Sequence, residues 1–117
     1  MQAQAYTEPG AGAVFPVSWD AALALKAVGA SFFLIVRGAE KNGRVLEEVL
    51  QDLISYHGLP YFIAVVGVED RSAPASHLGV VAVPQVRLYS NGRELRRHHG
   101  AAARDRLADI FGFGGEL

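Results

Sequence analysis

Two short apolar runs, Phe32 to Val36 and Phe62 to Val66, bracket a segment whose apolar residues recur at helical spacing, and this arrangement constrains the fold more than any other feature. A continuous apolar run of strand length is what a strand covered on both faces requires. Between the runs, Val45, Leu46, Val49, Leu50, Leu53 and Ile54 form an apolar stripe, while Arg44, Glu47, Glu48, Gln51 and Asp52 supply a wet face. Gly58 followed by Pro60 ends this helix. Strand, helix, strand in that order predicts a parallel pair with a right-handed crossover. Neither run approaches the roughly 20 residues that span a bilayer.

The flanking segments complete an alternating α/β pattern. Met1 to Gly12 has neither apolar period and reads as a flexible tail. Ala13 to Val17 reads as a short strand, at a sheet edge because Pro16 has no amide proton to donate. Ser18 is the expected N-cap of a helix through about Val28, with Trp19, Ala22, Leu23 and the Lys26 stem on its inner side and Gly29 as its stop. Ser72, Ala73 and Pro74 open a short helix expected to end at Gly79. Gln85 to Tyr89 alternates, Ser90-Asn91-Gly92 turns, and Arg93 to His99 returns, the pattern of a hairpin. Ala101 to Phe111 closes the domain as a helix, and residues 112–117 read as a flexible end. The chain of 117 residues is expected to hold one domain, spanning 13–111.

Charge and cysteine usage narrow the function. The formal net charge of -1 gives no general attraction to nucleic acid or to anionic lipid, although Arg93, Arg96, Arg97, His98 and His99 form a local basic stretch. Met1 to Gly12 lacks the basic start and apolar stretch of a secretion signal, so the expected compartment is the cytoplasm. There is no cysteine. Disulfide exchange needs a thiolate as the attacking group, so that reaction is excluded for this chain.

From Ser31 onward the pattern is similar to the thioredoxin family. Leu78-Gly79-Val80-Val81-Ala82-Val83-Pro84 resembles the family's aromatic-Gly-Ile-x-x-Ile-Pro segment. An apolar strand, an Asn91-Gly92 turn and Gly100 before the last helix then follow as they do in the family. The resemblance covers roughly three quarters of the chain and implies a three-layer sandwich, a central mixed sheet of about four or five strands flanked by about four helices. It also implies a cis bond before Pro84 and a groove beside the turn, lined by Ala82, Val83, Pro84, His99 and Gly100, in which an extended peptide pairs as an added strand. The alternative is that the turn only holds the fold.

The same resemblance places the family's Cys-x-x-Cys opposite Glu40-Lys41-Asn42-Gly43, a vestigial active-site loop in which Asn42 is read as a helix cap. The family's buried aspartate falls at Leu34 and its accompanying lysine at Val65. Burying such charges is costly, so their replacement by apolar residues is what a redox-inactive core favours. Cysteine-free proteins that the chain resembles in this general way include the thioredoxin-like hydrogenase-expression proteins and the non-catalytic domains of disulfide isomerases, and it singles out neither.

No other constellation displaces this reading. His98 and His99 are neighbours on a strand and point to opposite faces, His57 sits at a helix end and His77 in a short helix, so no metal or cofactor is expected. The basic stretch Arg93 to His99 reads either as a solvated edge or as a docking surface for an acidic protein. The expectation is a non-enzymatic protein-binding module, an adaptor or assembly chaperone, that binds a protein or extended peptide beside the Val83-Pro84 turn. The alternatives are an enzyme acting on small thiols or peroxides without a cysteine, and a structural domain that oligomerises through a strand edge.

Overall fold

A computed structural model of the chain describes residues 9–38, 43–67 and 83–113. Eight elements run β1 (Val14–Pro16), α1 (Trp19–Ala27), β2 (Phe32–Arg37), α2 (Gly43–His57), β3 (Phe62–Gly67), β4 (Gln85–Ser90), β5 (Arg93–His99) and α3 (Arg104–Phe111). The strands form one five-stranded mixed sheet in the order β1-β3-β2-β4-β5. The apolar runs β2 and β3 pair in parallel, Phe32 beside Phe62, and β1 adds in parallel on the outer side of β3. On the other side β4 pairs antiparallel with β2, and β5 antiparallel with β4. Pro16 therefore lies on an edge strand, where its missing donor leaves no ladder bond unmade.

Strand alternation divides the core between two faces. Phe33, Ile35, Ile63, Val86 and Leu88 meet Leu46, Leu50, Leu53 and Ile54 of α2 and Leu107, Ala108 and Phe111 of α3. Phe32, Leu34, Val36, Phe62, Ala64, Val66 and Tyr89 face the other way, toward Trp19 and Ala22 of α1. On that face four rings stack in strand order across the sheet: Phe15 on Phe62 at 5.5 Å, Phe62 on Phe32 at 5.4 Å and Phe32 on Tyr89 at 5.3 Å between centroids. On the opposite face Phe33 meets Tyr61 and Phe111 edge to face, at 5.5 and 5.3 Å. Such pairs add about 0.5–1.5 kcal/mol beyond the burial of their area.

Local chemistry explains the boundaries. The Ala21 amide donates to Ser18 Oγ at 3.1 Å, so Ser18 caps α1, and Gly29 with φ 81° turns the chain out of it. In the β4–β5 hairpin Asn91 and Gly92 both have positive φ, 55° and 81°, the conformation that a two-residue turn between right-twisted strands requires. Leu88 pairs with Arg96 and Tyr89 with Glu94, so Leu95 is the extra residue of a bulge. Gly112, with φ 86°, ends α3 in the left-handed conformation.

Several expectations need correction. Leu23 shares the Trp19 side of α1 as expected, lining a small cavity with Trp19, Ala22 and Lys26, yet it is 41% exposed, and Leu25 also packs against the Trp19 cluster. The helix is apolar almost all round, so its pattern did not show that Leu25 packs inward as well. Val45 is exposed at the start of α2 rather than part of its buried stripe. The last helix begins at Arg104, three residues later than expected, because Ala103 is extended at φ -71°, ψ 162°. Three helices are described, and the short helix expected from Ser72 to Gly79 lies outside the described residues. At the termini of the described chain, the Gly12 amide donates to Tyr61 O at 2.8 Å, and Phe113 packs against the α2–α3 core.

Candidate functional site

The sheet brings three segments to one end. Antiparallel pairing sets Val36, near the C-terminal end of β2, beside Gln85 at the start of β4, and α2 begins at Gly43. Arg37, the last residue of β2, donates through Nη1 to Glu47 Oε2 at 3.0 Å and so ties that end to α2. Beside it the Val83–Pro84 peptide bond is cis, and Val83 is 37% exposed. The Gly100 amide donates to Pro84 O at 2.8 Å, and His99 pairs with Gln85 across the hairpin. Val83, Pro84, His99 and Gly100 are thus adjacent, held by the last rung of β4–β5.

The other expected site residues stand differently. Ala82, Glu40, Lys41 and Asn42 lie outside the described residues, and Gly43 is placed as the first residue of α2. Leu34 is buried among the residues that meet α1, whereas Val65 packs against the α2–α3 cluster on the opposite face. The two replaced positions therefore do not share a pocket. Among the described residues no group of His, Asp or Glu side chains is arranged to hold a metal ion, and no helix is long and apolar enough to cross a membrane.

The structure adds a polar set that the sequence did not single out. Gln85 and Arg87, read as one side of an alternating strand, are the two buried polar residues of the described chain. Arg87 is 1% exposed, lies cross-strand from Leu34, and donates through Nε to Gln85 Oε1 and through Nη1 to Tyr89 Oη at 3.1 Å. A guanidinium taken out of water needs such acceptors, because desolvation otherwise costs several kcal/mol on the order expected for a buried ion. The neighbouring Gln85 Nε2 and Trp19 Nε1 are buried with no acceptor among the described residues. Alternation along β4 does not show whether its second face is covered by a helix, so the sequence held no signal for this set.

Electrostatics are sharper on β5. Arg97 forms a forked pair with Glu94, Nε to Oε2 at 2.8 Å and Nη2 to Oε1 at 2.7 Å. Its hydrogen bond, and the charges of Arg97, Arg87 and Lys26, hold the Glu94 carboxyl below its ordinary range. Burial, with the positive charge of Arg106 and the neighbouring His99, pushes the His98 imidazole below its ordinary value.

No family model matches the chain, and no curated protein matches it in sequence. Solved structures do match. A thioredoxin variant from Halobacterium salinarum NRC-1 superposes with a TM-score of 0.71 at 18% identity, covering 95% of this chain and 99% of that one. Thioredoxin O2 from Arabidopsis thaliana, in its oxidized state, gives 0.67 at 15% identity over 86% and 93%. Thioredoxin O1 from the same plant gives 0.66 at 18% over 86% and 96%. At these identities the likeness speaks to architecture, and it agrees with the strand order and two-faced core: the chain has the thioredoxin fold, built without a cysteine.

Proposed function

We propose that the chain is a non-redox protein-binding module, an adaptor or assembly chaperone, that receives an extended peptide against the Val83–Pro84 turn. The observation that carries this reading is the exposed Val83 before Pro84, held beside Gly100, in a chain that has no thiol. Val83 and Pro84 lie beside Gly100, whose amide donates to Pro84 O, and beside His99, which pairs with Gln85, so these residues meet at the sheet end. An extended peptide gains affinity from main-chain hydrogen bonds and specificity from alternate side chains, the mode such a patch suits. The absence of cysteine removes thiol–disulfide exchange from the functions available to the chain.

Two measurements test the reading. In an insulin-reduction assay with dithiothreitol the protein is expected to give no turnover above the dithiothreitol control, and turnover well above it overturns the non-redox reading. For binding, cysteine-free peptides selected on the wild-type protein from a random library are measured against Val83→Asp, with circular dichroism as the check on folding. The new charge in the patch is expected to weaken the selected peptides roughly tenfold or more. Peptides that bind the folded variant as well as wild type place their site elsewhere and sink the groove.

A further inference from the structure

The far end of the same hairpin carries a different surface. β5 is the last strand in the sheet, so one of its sides meets no strand among the described residues. Its side chains are exposed at every position except the half-buried His98. Arg97 is committed to Glu94, but Arg93 and Arg96 have no carboxylate partner among the described residues. Arg96 lies along the edge itself, its Nη1 donating to the Leu95 carbonyl at 2.9 Å. Beside it Leu95, the bulged residue, is 41% exposed. The whole chain is weakly acidic by formal charge, so this concentration of cations is local.

We propose that β5 is a docking edge for an acidic, extended segment of a partner protein, which adds to the sheet beside β5 and sets its carboxylates against Arg93 and Arg96. Charge selects this occupant over a second copy of the chain. Antiparallel self-pairing about Arg96 puts that residue opposite its own copy, and like charges directly opposite destabilise a strand pair. The charges that guard the edge against self-association thus favour an acidic strand. The free backbone side favours a peptide over a nucleic acid, and β5 carries no Phe, Tyr or Trp on which a base could stack. The cations of this edge are displaced from the Val83–Pro84 patch: Arg93 stands at the other end of β5 from His99, about 20 Å along the strand, and Arg96 about halfway.

The test uses a fluorescent peptide of alternating Glu and Val, read by anisotropy at low and high salt, with protection of the β5 amides from hydrogen exchange as a second readout. The acidic peptide is expected to bind roughly tenfold or more tightly than its Gln counterpart, and to weaken as salt rises. The folded double variant Arg93→Glu/Arg96→Glu should lose most of that difference, and the milder Arg96→Gln part of it. Methylating alternate backbone nitrogens of the peptide should abolish binding with its charge unchanged. Equal binding of the methylated peptide, or no binding of the acidic one, overturns the proposal, as does tighter binding of a single-stranded oligothymidylate. Val83→Asp should leave the affinity unchanged. If it abolishes binding while Arg93→Glu/Arg96→Glu does not, the peptide occupies the turn, and the β5 inference falls while the proposed function stands.

Discussion

The two faces of the sheet are built on different principles. Toward α2 and α3 the buried cluster is wholly apolar, with Phe33 meeting Tyr61 and Phe111 edge to face. Toward α1 the stacked rings share their face with Arg87 and Gln85, both fully buried, and with the Trp19 indole N–H, which has no acceptor among the described residues. The first face gains stability from packing alone and tolerates no charge. The second already solvates a cation with Gln85 Oε1 and Tyr89 Oη, and a buried polar network of this kind fixes geometry at some cost in stability. That network starts at Gln85, next to Pro84 and paired with His99, so it ends beside the proposed peptide patch.

A carboxylate placed on each face from adjacent residues of one strand tells the two faces apart. Ile35→Asp points into the apolar face, where no cation waits, and should cost about 5 kcal/mol or more, enough to unfold a domain of ordinary stability. Leu34→Asp points the other way, cross-strand from Arg87 and into a cavity of about 10 Å³ that Leu34 lines with Trp19 and Tyr89. There the new carboxylate lies near the Arg87 guanidinium, and the loss should be smaller by about 2 kcal/mol or more. Urea unfolding of both variants decides it, and equal losses would mean that the Arg87 network does not distinguish the faces.

A smaller effect sharpens the same point. Arg87→Met keeps most of the side-chain volume but leaves Gln85 Oε1 and Tyr89 Oη without their donor, at a cost of about 1–3 kcal/mol. In that background Gln85→Leu should restore part of the loss, since it removes an amide that is already half unsatisfied. Additive losses in the two variants would show that Gln85 and Arg87 act separately.

The sequence made these faces only partly legible. The period-two and helical patterns located every described strand and helix, because the runs at Phe32 and Phe62 and the stripe of α2 follow from burial alone. The edge position of β1 followed from one proline, and the hairpin from Asn91-Gly92. What stayed hidden depended on neighbours. Gln85 and Arg87 read as an alternating wet side, yet β4 lies inside the sheet, and only tertiary placement turns that side into core. On α1 the side shared by Trp19, Ala22, Leu23 and Lys26 was legible, but the packing of Leu25 against the same cluster was not. Of the candidate site, Pro84, Val83, His99 and Gly100 were legible through resemblance and are brought together by the last rung of the hairpin.

The smallest expected effect concerns how each face meets acid. His98 lies beside Val86 at the rim of the apolar face, and burial first, then Arg106 and His99, lower its proton affinity in the folded protein. The unfolded chain therefore takes up this proton at higher pH than the folded one. Stability is complete above the ordinary histidine value of 6.5 and is lost as pH falls from there through the depressed folded value. Glu94 behaves in the same direction in a lower window: its carboxyl is held down mainly by the Arg97 hydrogen bond, so its contribution is present above 4.5 and lost as pH falls further. Both groups are at least partly exposed and each step should be small, of the size of a surface interaction. Urea midpoints measured across pH should show the first decline vanish in His98→Gln and the second shrink in Glu94→Gln. A decline below pH 6.5 that persists unchanged in His98→Gln would move the acid sensitivity away from the rim of the apolar face, and with it the claim that this face tolerates no charge.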